Sequence, residues 1–277
     1  MHSDHYAPTT TLLGLLPRGR GQGALIAAED RSSVADLVHG CVRWEWRWDR
    51  QVDSRHVYLA RLIRDLELPL GPVIELLARD EDTRRRAAGV LEPLALGGSA
   101  EAEEALRTDV RETGASPTAP DEERDIEERG KAERGNEERG KAERGNEERD
   151  LPTLVAALEQ HWVDRTWCGP ASLARGLARF GPEAAGAVSL LRRFWLATPH
   201  SYERPAYLEA LAAIGAAGLA EAYVESLWDC EPAARLLAVE HAPDRPDALR
   251  RIAELRDDPI EDPAVREAAT ARLVRHG

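Results

Sequence analysis

The sequence predicts an all-α chain of short stacked helices, interrupted by a charged low-complexity spacer. Three observations predict it. Apolar residues recur at helical spacing in both halves of the chain, and no run alternates apolar with polar as a half-buried strand would. Proline stands at 170, 182, 205, 232, 246 and 263, each time where an apolar periodic stretch begins; in the first turn of a helix its missing N–H costs nothing. One local pattern also returns three times.

That pattern is an acid, three residues, an arginine, two residues and a small residue. It occurs as Asp82, Arg86, Gly89, as Glu231, Arg235, Ala238, and as Asp262, Arg266, Ala269. The last two copies lie 31 residues apart, the period of a helix-pair repeat. Its logic is physical. A carboxylate at a helix N-terminus accepts from free N–H groups and meets the positive end of the dipole. An arginine one turn later reaches the turn of its own repeat or the acid of the next. A small residue lets the paired helix approach.

DEDTRRRAAGVL, DCEPAARLLAVEHA and EDPAVREAATARL carry a resemblance to HEAT repeats, including the shorter bacterial type found in phycobilin lyase subunits. The resemblance implies an irregular helical-repeat solenoid, an α-α superhelix of armadillo-like kind. Arg85 and Ala234 depart from the valine the family favours, which Val265 keeps, and Gly89 replaces its usual alanine.

Taken in order, residues 1–10 read as a loose tail and 11–114 as a first helical region. Residues 11–16 form a short apolar run that ends at Pro17. The stretch 17–25, PRGRGQGAL, has the glycine spacing of a loose dinucleotide fingerprint, but no βαβ unit follows, so it reads as a flexible loop. Helices are expected over 32–42, 55–66, in the stretch from 73 through the first acid–arginine copy to Gly97, and over 100–110. The second region, 151–277, predicts helices over 154–162, 173–180, 184–196, 205–214, 219–227, 232–242, 247–255 and 263–274.

Residues 115–150 differ in kind. The unit EERGKAERGN at 127–136 is copied at 137–146, and 121–150 holds thirteen acids and eight bases, a net −5. Ile126 is the one large apolar side chain there, so the segment cannot bury a core and reads as a solvated linker.

Composition narrows the function. The net charge of −13 opposes a general phosphate-binding surface. Only Lys131 and Lys141 are lysines, a coding bias expected of a GC-rich bacterial genome. Three well-separated cysteines and a polar, acidic N-terminus predict a reducing cytoplasm, without export or membrane span. The eight histidines are scattered without metal-ligand spacing, and neither GxSxG nor a P-loop occurs. No metal, cofactor or catalytic residue is expected.

Two surfaces stand out. RWEWRWDR, at 43–50, places Trp44, Trp46 and Trp48 among Arg43, Arg47 and Arg50. At helical spacing Trp44 and Trp48 share a face that Trp46 does not, so one narrow seam cannot hold all three; if the stretch is extended, the three share one face, with Arg43, Glu45, Arg47 and Asp49 on the other. Tryptophan beside arginine suits a protein-binding hot spot. The competing reading makes them packing residues at one end of the stack. The HEAT-like DNA glycosylases, which the family resemblance brings in, use Trp and Asp on a concave face. That makes Trp162, Asp164 and Arg165 with Trp228 and Asp229 an alternative site, although Trp228 also reads as packing and Asp229 as a cap. The expected function is a non-catalytic scaffold that binds another protein, with a nucleic-acid enzyme as the alternative.

Overall fold

Alanine- and leucine-rich segments punctuated by proline and glycine fold into short helices. The computed structural model describes residues 7–29, 31–44, 54–113 and 150–276. Among them there is no strand, and no helix is long and apolar enough to cross a membrane. In chain order the helices are α1 (Leu12–Leu15), α2 (Gly21–Glu29), α3 (Arg31–Trp44), α4 (Arg55–Asp65), α5 (Gly71–Ile74), α6 (Glu81–Leu96) and α7 (Ala100–Thr113). Then follow α8 (Leu151–Val163), α9 (Pro170–Ala178), α10 (Val188–Ala197), α11 (Arg204–Ile214), α12 (Leu219–Ser226), α13 (Pro232–His241), α14 (Pro246–Asp257) and α15 (Pro263–His276). Proline opens α9, α13, α14 and α15, as its positions predict.

The described residues gather into two compact units that do not follow chain order. The smaller falls within Thr108–Thr198 and Ala206–Ala217; the larger falls within Asp4–Arg107, Pro199–Pro205 and Gly218–Gly277. In the smaller unit α8 packs on α9 and α10. Its buried side chains include Leu154, Leu158, Leu177, Leu191, Phe194 and Tyr207. Asp150 belongs to this helical structure, not to the spacer that precedes it. Its carboxylate accepts from the Thr153 N–H at 3.0 Å and caps α8.

In the larger unit α6 packs on α3 and α4, and α15 packs on α13 and α14. One apolar cluster joins Val38, Tyr58, Ile63, Val90 and Leu91 with Cys230, while a second joins Leu227, Val239, Ile252 and Val265; Trp228 borders both. The stretch 17–25 departs from the flexible loop its glycines suggest. It is a turn of 3₁₀ helix over Leu16–Arg18 followed by α2, with Arg18 and Arg20 buried. The glycines serve close packing. Gly19 has φ +65°, and a Cβ there would lie 2.3 Å from Cys230 Sγ; a Cβ on Gly21 would lie 1.9 Å from the Glu225 carbonyl oxygen.

Arginines set this unit apart. Arg18, Arg20, Arg55, Arg61, Arg204, Arg235, Arg251 and Arg272 are all buried. Short helices leave many terminal carbonyls without partners, and a guanidinium carries enough donors to satisfy several at once. Arg18 donates to the Gly14 carbonyl and Arg55 to that of Pro17, both at 2.6 Å, while Arg272 donates to the carbonyls of Val239 and Ala242.

Candidate binding surface

Helix α3 carries Val34, Val38, Cys41 and Val42 on its buried side, and this face turns its last residue outward. Trp44 is 66% exposed. The Arg43 guanidinium lies 5.9 Å from the Trp44 ring centroid, within cation–π reach. Arg86 fixes the end of the helix. Its Nε donates to the Val42 carbonyl and its Nη2 to the Arg43 carbonyl, both at 3.0 Å, and Nη2 also reaches Thr83 Oγ1. An exposed indole stacked with a guanidinium on an anchored helix end can offer a partner apolar area and charge-assisted hydrogen bonds together. Trp46, Arg47, Trp48 and Arg50 lie outside the described residues.

The acid–arginine copies behave differently from one another. In the first, Asp80 rather than Asp82 caps α6. Asp80 has an extended backbone and accepts from the Thr83 N–H at 3.0 Å, whereas Asp82 is already helical and its side chain is exposed. In the second, Glu231 holds the cap position without a capping bond, and its carboxylate accepts from Ser201 at 3.3 Å. Arg235 there is fully committed. It donates to the carbonyls of Asp229 and Cys230, both at 2.7 Å, and bidentately to Glu261 at 2.9 and 2.5 Å. It thus reaches its own turn and the acid of the next, but that acid is Glu261, not Asp262. Asp262 is a local cap, accepting from the Ala264 N–H at 2.9 Å. Arg266 is exposed, and donates to the Arg256 carbonyl at 3.2 Å.

Arg204 completes a series that the sequence frame misses. It precedes Arg235 by the same 31 residues that separate Arg235 from Arg266. It clasps Asp229 at 2.8 and 2.7 Å, much as Arg235 clasps Glu261. No acid stands four residues before Arg204, so the frame passes over it. The arginine interval alone could have found it.

A second ion cluster lies nearby. Arg61 reaches Asp258 at 2.8 Å and Glu261 at 3.0 Å, and Arg64 reaches Asp258 at 2.8 Å. Burial works to raise the Asp258 pKa, but the hydrogen bond from Arg64 and the charge of Arg61 outweigh it and hold the group at about 2. Burial likewise opposes ionisation of Glu261, yet the charge of Arg235 leaves its pKa lowered. Arg61 is brought down to about 10 by burial and the neighbouring Arg235, which leaves it cationic at neutral pH.

The remaining residues divide between the units. In the smaller one, Trp162, Trp167 and Phe194 meet edge to face with ring centroids 5.3 to 6.0 Å apart, and Phe194 stacks on Tyr207 at 5.8 Å. Arg165 lies 4.6 Å and Arg193 5.9 Å from the Trp162 ring centroid. Arg165 takes a left-handed φ of +54°, and the exposed Asp164 accepts from Gln160 at 2.7 Å. Trp228 and Asp229 belong to the larger unit. Trp228 packs between the two apolar clusters under the Arg251 guanidinium, 5.2 Å away. Asp229 is buried, and one oxygen that accepts from Arg204 also accepts from the Glu231 N–H at 2.9 Å. It is a clamp for a turn. Among the described residues no group of three or more histidines, cysteines or acids is placed to hold a metal ion.

Comparison of the chain with protein-family models, with curated proteins and with solved structures finds no match.

Proposed function

We propose that this protein is a non-catalytic protein-interaction module built on HEAT-like helix pairs, with the end of α3 as its contact point. The interval of 31 residues linking Arg204, Arg235 and Arg266 supports the repeat reading. So does the way the first two each reach forward to an acid, 25 residues to Asp229 and 26 to Glu261. Stacked helix pairs bury a core only by contact with their neighbours and leave extended surfaces for partners. The three cysteines form no disulfide, which suits a cytoplasmic setting.

The observation that carries the binding reading is the exposure of Trp44 under the Arg43 guanidinium. The partner in this reading is another protein, and the reading needs no cofactor. The glycosylase alternative gains nothing from Asp229, whose carboxylate is spent on Arg204 and its own turn.

The test is Trp44→Ala, read in two ways on one preparation. Capture of partners from cell extract should weaken by about 2 kcal/mol or more, as hot-spot truncations do. The melting temperature should stay near that of the parent, because most of the side chain is in solvent. A stability loss without a selective binding defect would make Trp44 a packing residue and end the proposal.

A further inference from the structure

The larger unit joins an N-terminal piece of chain, within Asp4–Arg107, to two C-terminal pieces, Pro199–Pro205 and Gly218–Gly277, and the bonds between the N-terminal piece and the C-terminal ones are specific. The Gly19 carbonyl accepts from the Cys230 N–H at 2.9 Å and from Arg204 at 3.2 Å; the Arg18 carbonyl accepts from Arg204 at 2.8 Å. The corresponding guanidinium of Arg235 holds the turn of its own helix pair instead, through the carbonyls of Asp229 and Cys230. The N-terminal segment therefore gives Arg204 the carbonyls that a preceding turn would supply. Arg20, also buried, binds Glu225 at 2.8 and 2.5 Å. Arg61 and Arg64 close the other side on Asp258 and Glu261. None of these bonds depends on the covalent path between the pieces.

We propose that the N-terminal piece of the larger unit, within residues 7–107, is an exchangeable element, and that two copies of this chain can swap it to form a reciprocal dimer. Every contact described above is the same whether the element comes from its own chain or from a second copy, so exchange sacrifices no bond. The intramolecular form is favoured only by tethering, which acts as an effective concentration of millimolar order. Residues 114–149, which lie on the connecting path, contain one large apolar side chain, Ile126, and so offer little apolar surface whose burial would hold one arrangement. Swapping should thus appear when folding occurs at high protein concentration. The buried ion pairs should then slow the return to monomer.

The experiment uses the full-length chain with a protease site inserted in the repeat at 127–146. The protein is unfolded and refolded at micromolar and at near-millimolar concentration, and its mass is measured by light scattering before and after cleavage. The proposal expects a dimer from concentrated refolding only. Cleavage should halve its mass, because each pair of fragments then equals one monomer. Monomer at both concentrations would overturn it. So would a dimer that keeps its mass after cleavage, since that copy-to-copy contact would not involve exchange, or fragments that separate as soon as the chain is cut.

Discussion

In the smaller unit the largest buried side chains are rings and branched aliphatics, with Phe194 enclosed by Trp162, Trp167 and Tyr207. In the larger unit the bulkiest fully buried side chains are Arg20, Arg204 and Arg235. Rings supply apolar area and edge-to-face contacts, and their arginine partners Arg165 and Arg193 lie over the outer Trp162. The buried arginines instead fasten carbonyls and acids that short helices and their turns would otherwise leave unsatisfied. The difference teaches where each unit is vulnerable. An apolar core loses stability in proportion to volume removed. A buried ion pair can be nearly neutral as a pair, yet removing one partner strands a charge and is costly.

The largest effect should follow from that asymmetry. Arg204→Ala leaves Asp229 buried and should destabilise the larger unit by about 3–5 kcal/mol in urea melts, and Arg235→Ala should do the same through Glu261. Phe194→Ala is the mirror experiment, with a cost of about 3–5 kcal/mol in the smaller unit. Hydrogen exchange resolved by region checks the pairing: each substitution should lower protection chiefly in its own unit.

Acid should separate the units without mutation. The folded-state pKa of Asp258 is depressed to about 2 and that of Glu261 is lowered, so their contribution is present above the ordinary carboxylate range. It is lost as pH falls from that range toward 2. Among the described residues of the smaller unit, the acid held below its ordinary range is Asp150, an exposed cap bonded to Thr153. Protection in the larger unit should therefore fall first on acidification. Equal loss in both units would remove the ion pairs from the explanation.

The smallest effects concern the outer members of the acid–arginine copies. Arg86→Ala should cost about 1–3 kcal/mol, because it leaves the last carbonyls of α3 without their donor. Arg266→Ala should change stability by less than about 0.5 kcal/mol, as exposed substitutions usually do. A large effect at Arg266 would mean that its bond to the Arg256 carbonyl matters more than its exposure implies.

Helical class and several helix starts were legible because both are local, whereas the helix expected over 184–196 begins as a 3₁₀ stretch, Gly181–Ala187, and turns α-helical only at Val188. Proline marked the starts at 170, 232, 246 and 263, and Gly97 marked the end of α6. The acid–arginine frame pointed to Arg235 but missed its acid by one residue, because Glu261 and Asp262 are adjacent and only tertiary packing buries one of them. Arg61 and Asp258 were invisible for a different reason. They lie 197 residues apart, and no local spacing around either announces the other. The glycines at 19 and 21 looked like freedom in the sequence. They are sites of close approach, a distinction that depends on Cys230 and Glu225 arriving from far along the chain.

The central claim is that buried arginine–acid pairs bind the N-terminal helices of the larger unit to its C-terminal helices as one cooperative body. A double-mutant cycle on Arg61 and Asp258 tests it most directly, using Arg61→Ala, Asp258→Ala and the double variant in urea melts. The claim predicts that the double variant is less destabilised than the sum of the singles, with a coupling of about 1–3 kcal/mol. Additivity within about 0.5 kcal/mol would contradict it.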